Sequence, residues 1–218
     1  MAEATLLITS RNYSSWSLRG FLLARLSGLD FVTETISPDD PGAREELLLR
    51  SSSIRYPCLL HDGVRIWDVL AIAEYLNETR PKAGMLPAER QARALCRSIS
   101  GEMHSGFAAL RASLPMNLKA HRPGFAIWSG PRADIDAIEA IWDDCLDRGG
   151  GPWLFGKAPT IADAMYAPVA TRLHTYDVRL GAKAAAYVRH VLAWPDLVEW
   201  TRDALSEPEE IAELEVEF

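Results

Sequence analysis

The sequence is poor in several features that would each point to a function. It has three cysteines in 218 residues, Cys58, Cys96 and Cys145, an odd count with no Cys-x-x-Cys pair. That pattern excludes a disulfide framework and a zinc site built on cysteine pairs, and it suits reduced thiols in a cytoplasmic protein. No stretch approaches the roughly 18 consecutive apolar residues of a spanning helix, so no membrane segment is expected. Glu3 stands where an export signal would carry positive charge, so no signal peptide is expected either. Positive charge is in deficit, with 23 Lys+Arg against 30 Asp+Glu and a net charge of −7. Such a chain is not a general nucleic-acid binder, because phosphate contacts need clustered cations. The densest basic group, Arg90, Arg93 and Arg97, is spaced along a helix beside Glu89 and reads as a solvated face. There is no internal repeat and no low-complexity stretch.

What is present is enough apolar residue, 48% of the chain, to build a sizeable core in one large domain or two small ones. The first eighty residues alternate short strand and helix patterns. Residues 5–9 and 31–37 read as strands, and 15–28, 41–50 and 69–77 as helices. Residues 58–61 and 64–67 flank Asp62-Gly63, the strongest short hairpin signal. The order β-α-β-α-β-β-α predicts parallel strands at the start and an antiparallel edge at the hairpin. A stretch with Pro81, Gly84 and Pro87 reads as a linker over 81–88. Beyond it the helical period takes over. Ala92, Leu95, Cys96, Ile99, Met103, Phe107, Leu110 and Leu114 form one stripe. It predicts a single helix of about 27 residues, roughly 40 Å long. Ile135, Ile138, Trp142 and Leu146 begin a second helix that Gly149-Gly150-Gly151 ends, and 161–173, 183–192 and 196–205 follow. The expectation is an α/β domain over 1–80 and an all-helical domain over 89–218.

Four local patterns lie on that frame. Tyr13-Ser14-Ser15-Trp16-Ser17-Leu18-Arg19 joins the first strand to the first helix, and Arg55-Tyr56-Pro57-Cys58-Leu59 precedes the hairpin. Trp67-Asp68-Val69-Leu70-Ala71-Ile72 opens the next helix, with Tyr75-Leu76 after it, and Thr160-Ile161-Ala162-Asp163 opens a helix of the second half. A serine at a helix start sits beside free N–H donors and the positive end of the dipole, where it can help hold an anion such as a thiolate. Lowering a thiol pKa of about 8.5 by two units takes roughly 2.7 kcal/mol, within reach of one charge-assisted hydrogen bond and a helix end. The Thr160–Asp163 pattern is a capping box and belongs to folding.

In this order the four patterns resemble the glutathione transferase superfamily, whose members join a thioredoxin-like domain to a helical-bundle domain. The first is similar to the Ser-Ser-Cys-x-x-Arg start of the zeta class, with Trp16 in place of the cysteine. The resemblance implies Ser14 or Ser15 as the group that activates the thiol of glutathione, and glutathione as co-substrate. It implies a cis proline at Pro57, with the Tyr56 main chain pairing with the cysteinyl unit, and Asp68 meeting the α-amino group. Arg55 is a further candidate partner for a carboxylate. Val69 departs from the family, which usually has a serine there to hold the γ-glutamyl carboxylate. Ser51-Ser52-Ser53-Ile54 departs too, since glycine is common before the cis proline. The second ligand, a small electrophile, is expected against the long helix. Its candidate contacts are Met103, His104, Phe107 and Arg111, with Asn117 on a lip and Arg172 holding a carboxylate. No metal site is expected. The implied activity is conjugation or cis–trans isomerisation by a cytoplasmic homodimer. An enzyme of this fold that has given up glutathione, and a non-catalytic binding protein, are the alternatives.

Overall fold

The computed structural model describes residues 3–36 and 55–208. The expected helix over 41–50, the end of the strand at Ser37 and the segment Ser51–Ile54 lie outside the described residues.

The sheet has four strands in the order β2-β1-β3-β4: β1 (Ala4–Ile8), β2 (Phe31–Thr35), β3 (Cys58–His61) and β4 (Val64–Trp67). β1 runs parallel to β2 and antiparallel to β3, and β3 pairs antiparallel with β4. The hairpin turn has positive φ at both Asp62 (49°) and Gly63 (73°), the twist that a two-residue connection needs. Helix α1 (Ser15–Ser27) covers the sheet with Leu18, Phe21, Leu22 and Leu23, and Gly28 ends it at φ 71°. α1 meets the turn before β3 at Gly20. A Cβ built there would lie 2.6 Å from Pro57 Cγ, so only glycine lets the helix settle onto the Tyr56-Pro57 turn, whose peptide bond is cis. α2 (Val69–Thr79) lies alongside α1.

A turn of 3-10 helix at Pro81–Ala83 leads to Met85, which is buried and accepts a hydrogen bond from the Ile161 N–H at 2.9 Å. The helical part follows: α3 (Arg90–Ser105), α4 (Ala108–Ser113), α5 (Ser129–Gly149), α6 (Ile161–Thr175), α7 (Ala182–Leu192) and α8 (Pro195–Leu205). α6 is the central element, buried along nearly its whole length and packed on α1, α3 and α7. Its start is the expected capping box. Asp163 Oδ2 accepts from the Thr160 N–H (2.8 Å) and hydroxyl (2.9 Å), and Oδ1 from the Leu154 N–H and the Tyr187 hydroxyl. Among the described residues no helix is long and apolar enough to cross a membrane, and no group of His, Cys, Asp and Glu could hold a metal ion.

The single long helix predicted from the stripe is two helices. The chain breaks at Gly106, and Phe107 adopts left-handed backbone at φ 56°, ψ 44°. The Gly106 N–H donates to the Glu102 carbonyl at 2.7 Å, and a Cβ at Gly106 would sit 2.8 Å from that oxygen. The new helix start is held from α5 by Asp134, which accepts the Leu110 N–H at 2.8 Å. Met103, Phe107, Leu110 and Leu114 are buried on both sides of the break, so the apolar period runs through a discontinuity it cannot register.

Candidate active site

The N-terminus of α1 is where hydroxyls, cations and the cis turn converge. Ser14 is the N-cap of α1: its Oγ accepts the Ser17 N–H at 3.2 Å and the Ser17 hydroxyl at 2.9 Å. Ser17 Oγ accepts the Thr9 N–H at 3.1 Å and lies 3.3 Å from Thr9 Oγ1. With both acceptor positions of Ser14 filled from within the chain, its own hydrogen is left to point at a third partner. Ser15 is the first residue of the helix, half-buried, and makes no side-chain hydrogen bond among the described residues; its carbonyl accepts from Arg19 Nη1 at 3.3 Å.

Trp16 organises the cations. The Arg19 guanidinium lies over its ring at 4.8 Å and that of Arg111 at 4.9 Å, with the His104 ring at 5.1 Å. Arg19 is fully buried, donates from Nε to the Met165 carbonyl at 2.8 Å, and leaves Nη2 buried without a partner. Arg111 reaches back from α4 to the Met103 and His104 carbonyls at the end of α3, and its Nε is buried and unpartnered. Arg172, on α6 and 5% exposed, donates to the Pro168 carbonyl at 3.2 Å and also leaves Nε unpartnered. No carboxylate pairs with any of the three among the described residues. Burial, then the charges of Arg172 and Arg111, push the pKa of Arg19 well below the usual arginine range. Burial lowers that of Arg111, and burial followed by the Arg111 charge brings Arg172 down to about 10. The influence of Arg111 on both Arg19 and Arg172, and of Arg172 on Arg19, places the three in one electrostatic site that an anion would relieve.

Asp68, at φ 72°, caps α2 through Oδ1, which accepts the Leu70 N–H at 2.9 Å. Its Oδ2 lies 2.7 Å from His104 Nε2, a contact that joins the sheet side of the site to the helical side. Tyr56 is half-buried and Pro57 buried against α1.

The structure thus brings Ser14, Ser15, Trp16, Asp68, His104, Arg111 and Arg172 to one junction, with Tyr56 and Pro57 beside the same helix. Arg55 is exposed and makes no hydrogen bond or ion pair with the group among the described residues. Val69 is 1% exposed and its side chain belongs to the core, as do Met103 and Phe107. Asn117 is buried, with Oδ1 accepting from Asn12 Nδ2 (3.0 Å) and the Lys119 N–H (3.1 Å), so it holds the loop rather than lining a cavity. Sequence reasoning passed over Arg19, although it stands in the quoted motif; a lone cation amid Leu18, Phe21 and Leu22 was the available signal. It also passed over Asn12, which is fully buried in the loop before Ser14.

A thioredoxin-like sheet whose first helix starts at a hydroxyl cap, backed by a helical domain, is the architecture of the thiol-using transferases. Residues 13–79 match the model of the glutathione S-transferase N-terminal domain, and residues 130–203 that of the glutathione S-transferase C-terminal domain. The chain belongs to the glutathione S-transferase superfamily. It is 29% identical over 175 residues to maleylacetoacetate isomerase of Rattus norvegicus, covering 78% of each chain. It is similar in fold to a glutathione transferase homologue from Burkholderia with bound glutathione (TM-score 0.70, 24% identity, covering 94% of this chain and 99% of that one). It is similar too to maleylacetoacetate isomerase from Anaeromyxobacter dehalogenans with bound dicarboxyethyl glutathione and citrate (TM-score 0.63, 23% identity, covering 96% and 95%).

Proposed function

We propose that the protein is a glutathione-dependent enzyme acting on a small electrophile that carries a carboxylate. The observation behind this reading is the meeting of hydroxyls free to donate, on Ser14 and Ser15, with three guanidinium groups that lack carboxylate partners among the described residues. The residues fit glutathione at its thiol end: Ser14 would donate to the sulfur at the positive end of α1, and the Tyr56 main chain at the cis turn would pair with the cysteinyl unit. At the γ-glutamyl end Asp68 is the group for the ammonium, and there His104 already holds one oxygen. Glutathione supplies a thiolate nucleophile, for conjugation or for reversible addition to a conjugated double bond that ends in cis–trans isomerisation.

The chain's own residues divide the work around it. Ser14 and the helix end hold the negative charge of the sulfur. Arg111, the part-exposed one of the three, would meet the substrate carboxylate, with the buried Arg19 and Arg172 adding positive potential behind it. Trp16 gives a flat ring against which the Arg19 and Arg111 guanidinium groups rest. The isomerase name of the rat relative and the affinity of such a cluster for acids favour isomerisation of an unsaturated acid over conjugation. The test is calorimetric titration with glutathione, followed by turnover of unsaturated acids against neutral electrophiles. Glutathione should bind, and acids should be preferred by tenfold or more, on the order of one charge-assisted contact. Equal turnover of neutral substrates would refute the carboxylate assignment, and absence of glutathione binding would refute the whole reading.

The Asp68–His104 contact favours a second reading, an enzyme of this fold that does not use glutathione, and the same titration decides it. Under a non-catalytic reading, Ser14→Ala and Ser15→Ala would leave function intact. We also take the protein to be a cytoplasmic homodimer that binds neither nucleic acid nor membrane. The net charge of −7 and the three buried free thiols support the location and the absence of polyanion binding. A mass measurement in solution at micromolar concentration tests the dimer.

A further inference from the structure

The loop that delivers Ser14 is fastened by a carboxylate from the far end of the chain. Glu207 Oε1 and Oε2 accept the Arg11 N–H at 2.7 and 2.9 Å, and Oε2 also accepts the Asn12 N–H at 3.1 Å and the Ser10 hydroxyl at 2.9 Å. Arg11 Nη1 lies 3.8 Å from Oε1, and Lys119 Nζ donates to the Glu207 carbonyl. The carboxylate is 14% exposed, so these are charge-assisted bonds in a largely desolvated place. Two successive amides and a hydroxyl converging on one carboxylate form a nest of donors that a neutral side chain cannot fill equally.

We infer that Glu207 is a positioning residue for the reaction, acting through Ser10 and the loop to set the direction of the Ser14 hydroxyl. The connection is short. Ser10 Oγ, which donates to Glu207, itself accepts the Asn12 and Tyr13 N–H groups at 3.1 and 3.2 Å. The Ser10 carbonyl accepts the Ser14 N–H at 3.2 Å. The opposite side of the loop is fixed by Asn12, whose Oδ1 accepts the Lys119 N–H at 3.0 Å. Trp200 of α8 donates to the Arg11 carbonyl at 3.0 Å. Every main-chain donor from Arg11 to Ser14 is therefore satisfied either by Ser10 or by Glu207. With the carboxylate gone, the Arg11 amide and the Ser10 hydroxyl lose their partner together, and the turn that ends at Ser14 loses its outer support. Glu207 touches no reacting atom, and it rests on the thiol-activating role proposed above for Ser14.

The test pairs two measurements on the full chain carrying Glu207→Ala or Glu207→Gln. In amide hydrogen exchange, Arg11 and Asn12 should lose protection by tenfold or more, with the sheet and α6 unchanged. In the ultraviolet absorbance of glutathione thiolate bound to the protein, the apparent thiol pKa should rise by about one unit, which for a thiol of pKa about 6.5 is about a threefold loss of thiolate at neutral pH. The KM for glutathione should move less than the turnover number. In a Ser14→Ala background, Glu207→Ala should add little further loss. Unchanged exchange at Arg11 and Asn12 overturns the inference, and so do additive losses from the two substitutions, since they would show that Glu207 does not act through Ser14. If wild-type protein gives no bound thiolate at all, the proposed function fails, while hydrogen exchange still decides the fastening of the loop.

Discussion

Replacing Ser14 with alanine should separate its two roles, capping α1 and holding a thiolate. The capping bond is the 3.2 Å contact from the Ser17 N–H, and its loss costs about 1 kcal/mol of stability, the usual value for an N-cap. The donor role is larger. A hydrogen bond to a charged group is worth about 1.5–3 kcal/mol, and one pKa unit corresponds to about 1.4 kcal/mol. The bound thiol should therefore rise by about one to two units in Ser14→Ala. The thiolate is the charged form of an acid, so removing its donor moves the pH–rate profile to higher pH. From a thiol pKa of about 6.5, turnover near neutrality should fall about threefold to twenty-five-fold, and raising the pH should recover most of it. The assay is the pH dependence of thiolate absorbance in the glutathione complex, measured beside turnover. Ser15→Ala is the internal comparison. Its hydroxyl has no partner among the described residues, so its removal should change stability by less than about 0.5 kcal/mol. A profile that stays in place in Ser14→Ala and moves in Ser15→Ala would refute the assignment and put the sulfur one residue further along the helix.

Val69→Ser, which restores the residue usual in the superfamily, should lower stability by about 1–3 kcal/mol, because the side chain is 1% exposed and its hydroxyl would be buried. It should not strengthen glutathione binding; a tenfold gain in a calorimetric titration would contradict the position of Val69 in the core. Gly20→Ala should push α1 away from Pro57, given the 2.6 Å approach of the added Cβ, and cost about 1–3 kcal/mol by denaturant unfolding. Cys58, Cys96 and Cys145 should be inert to a thiol reagent until denaturant is added, since all three are buried and free. Burial raises Cys96 to about 11 and Cys145 to about 12. Acids raised on folding stabilise the native state relative to the unfolded one only while both are protonated, so stability should decline as pH climbs from about 9 toward 11. Thermal unfolding at a series of alkaline pH values shows this, and Cys96→Ala should flatten the decline.

The sheet was legible because its signals are local. Asp62-Gly63 sets two positive φ angles by its own chemistry, and the strands on either side need only pair across it. Helix ends were legible for the same reason: Gly28 and Gly150 close α1 and α5 in left-handed backbone. The break between α3 and α4 was not, because burial is shared by both helices while the interruption comes from Gly106 and from Asp134 on another helix. Periodicity reports which face is apolar, not whether the backbone is continuous. At the site, the cap, the turn and the aspartate could be placed from local order. The position of Val69 could not, since the first residue of a helix faces the cleft or the core according to the angle at which the helix leaves its strand.

The arginines are the deeper case. Lowering Arg172 to about 10 amounts to about 3 kcal/mol against its charged form, and Arg19 and Arg111 are lowered in the same direction. A buried cation is normally matched by a carboxylate, and none is present here among the described residues. The chain matches them instead with main-chain carbonyls: Met165 and Ser15 for Arg19, Met103 and His104 for Arg111, and Pro168 for Arg172. Those of Met103 and His104 lie in the last turn of α3, the negative end of its dipole. Carbonyl dipoles lower the cost of burying a charge without cancelling the charge itself. The positive charge of the three arginines is therefore left without a carboxylate counter-charge among the described residues, which is the feature that, on the proposed function, would draw an acidic ligand; the carboxylate at the junction, Asp68, faces His104 instead.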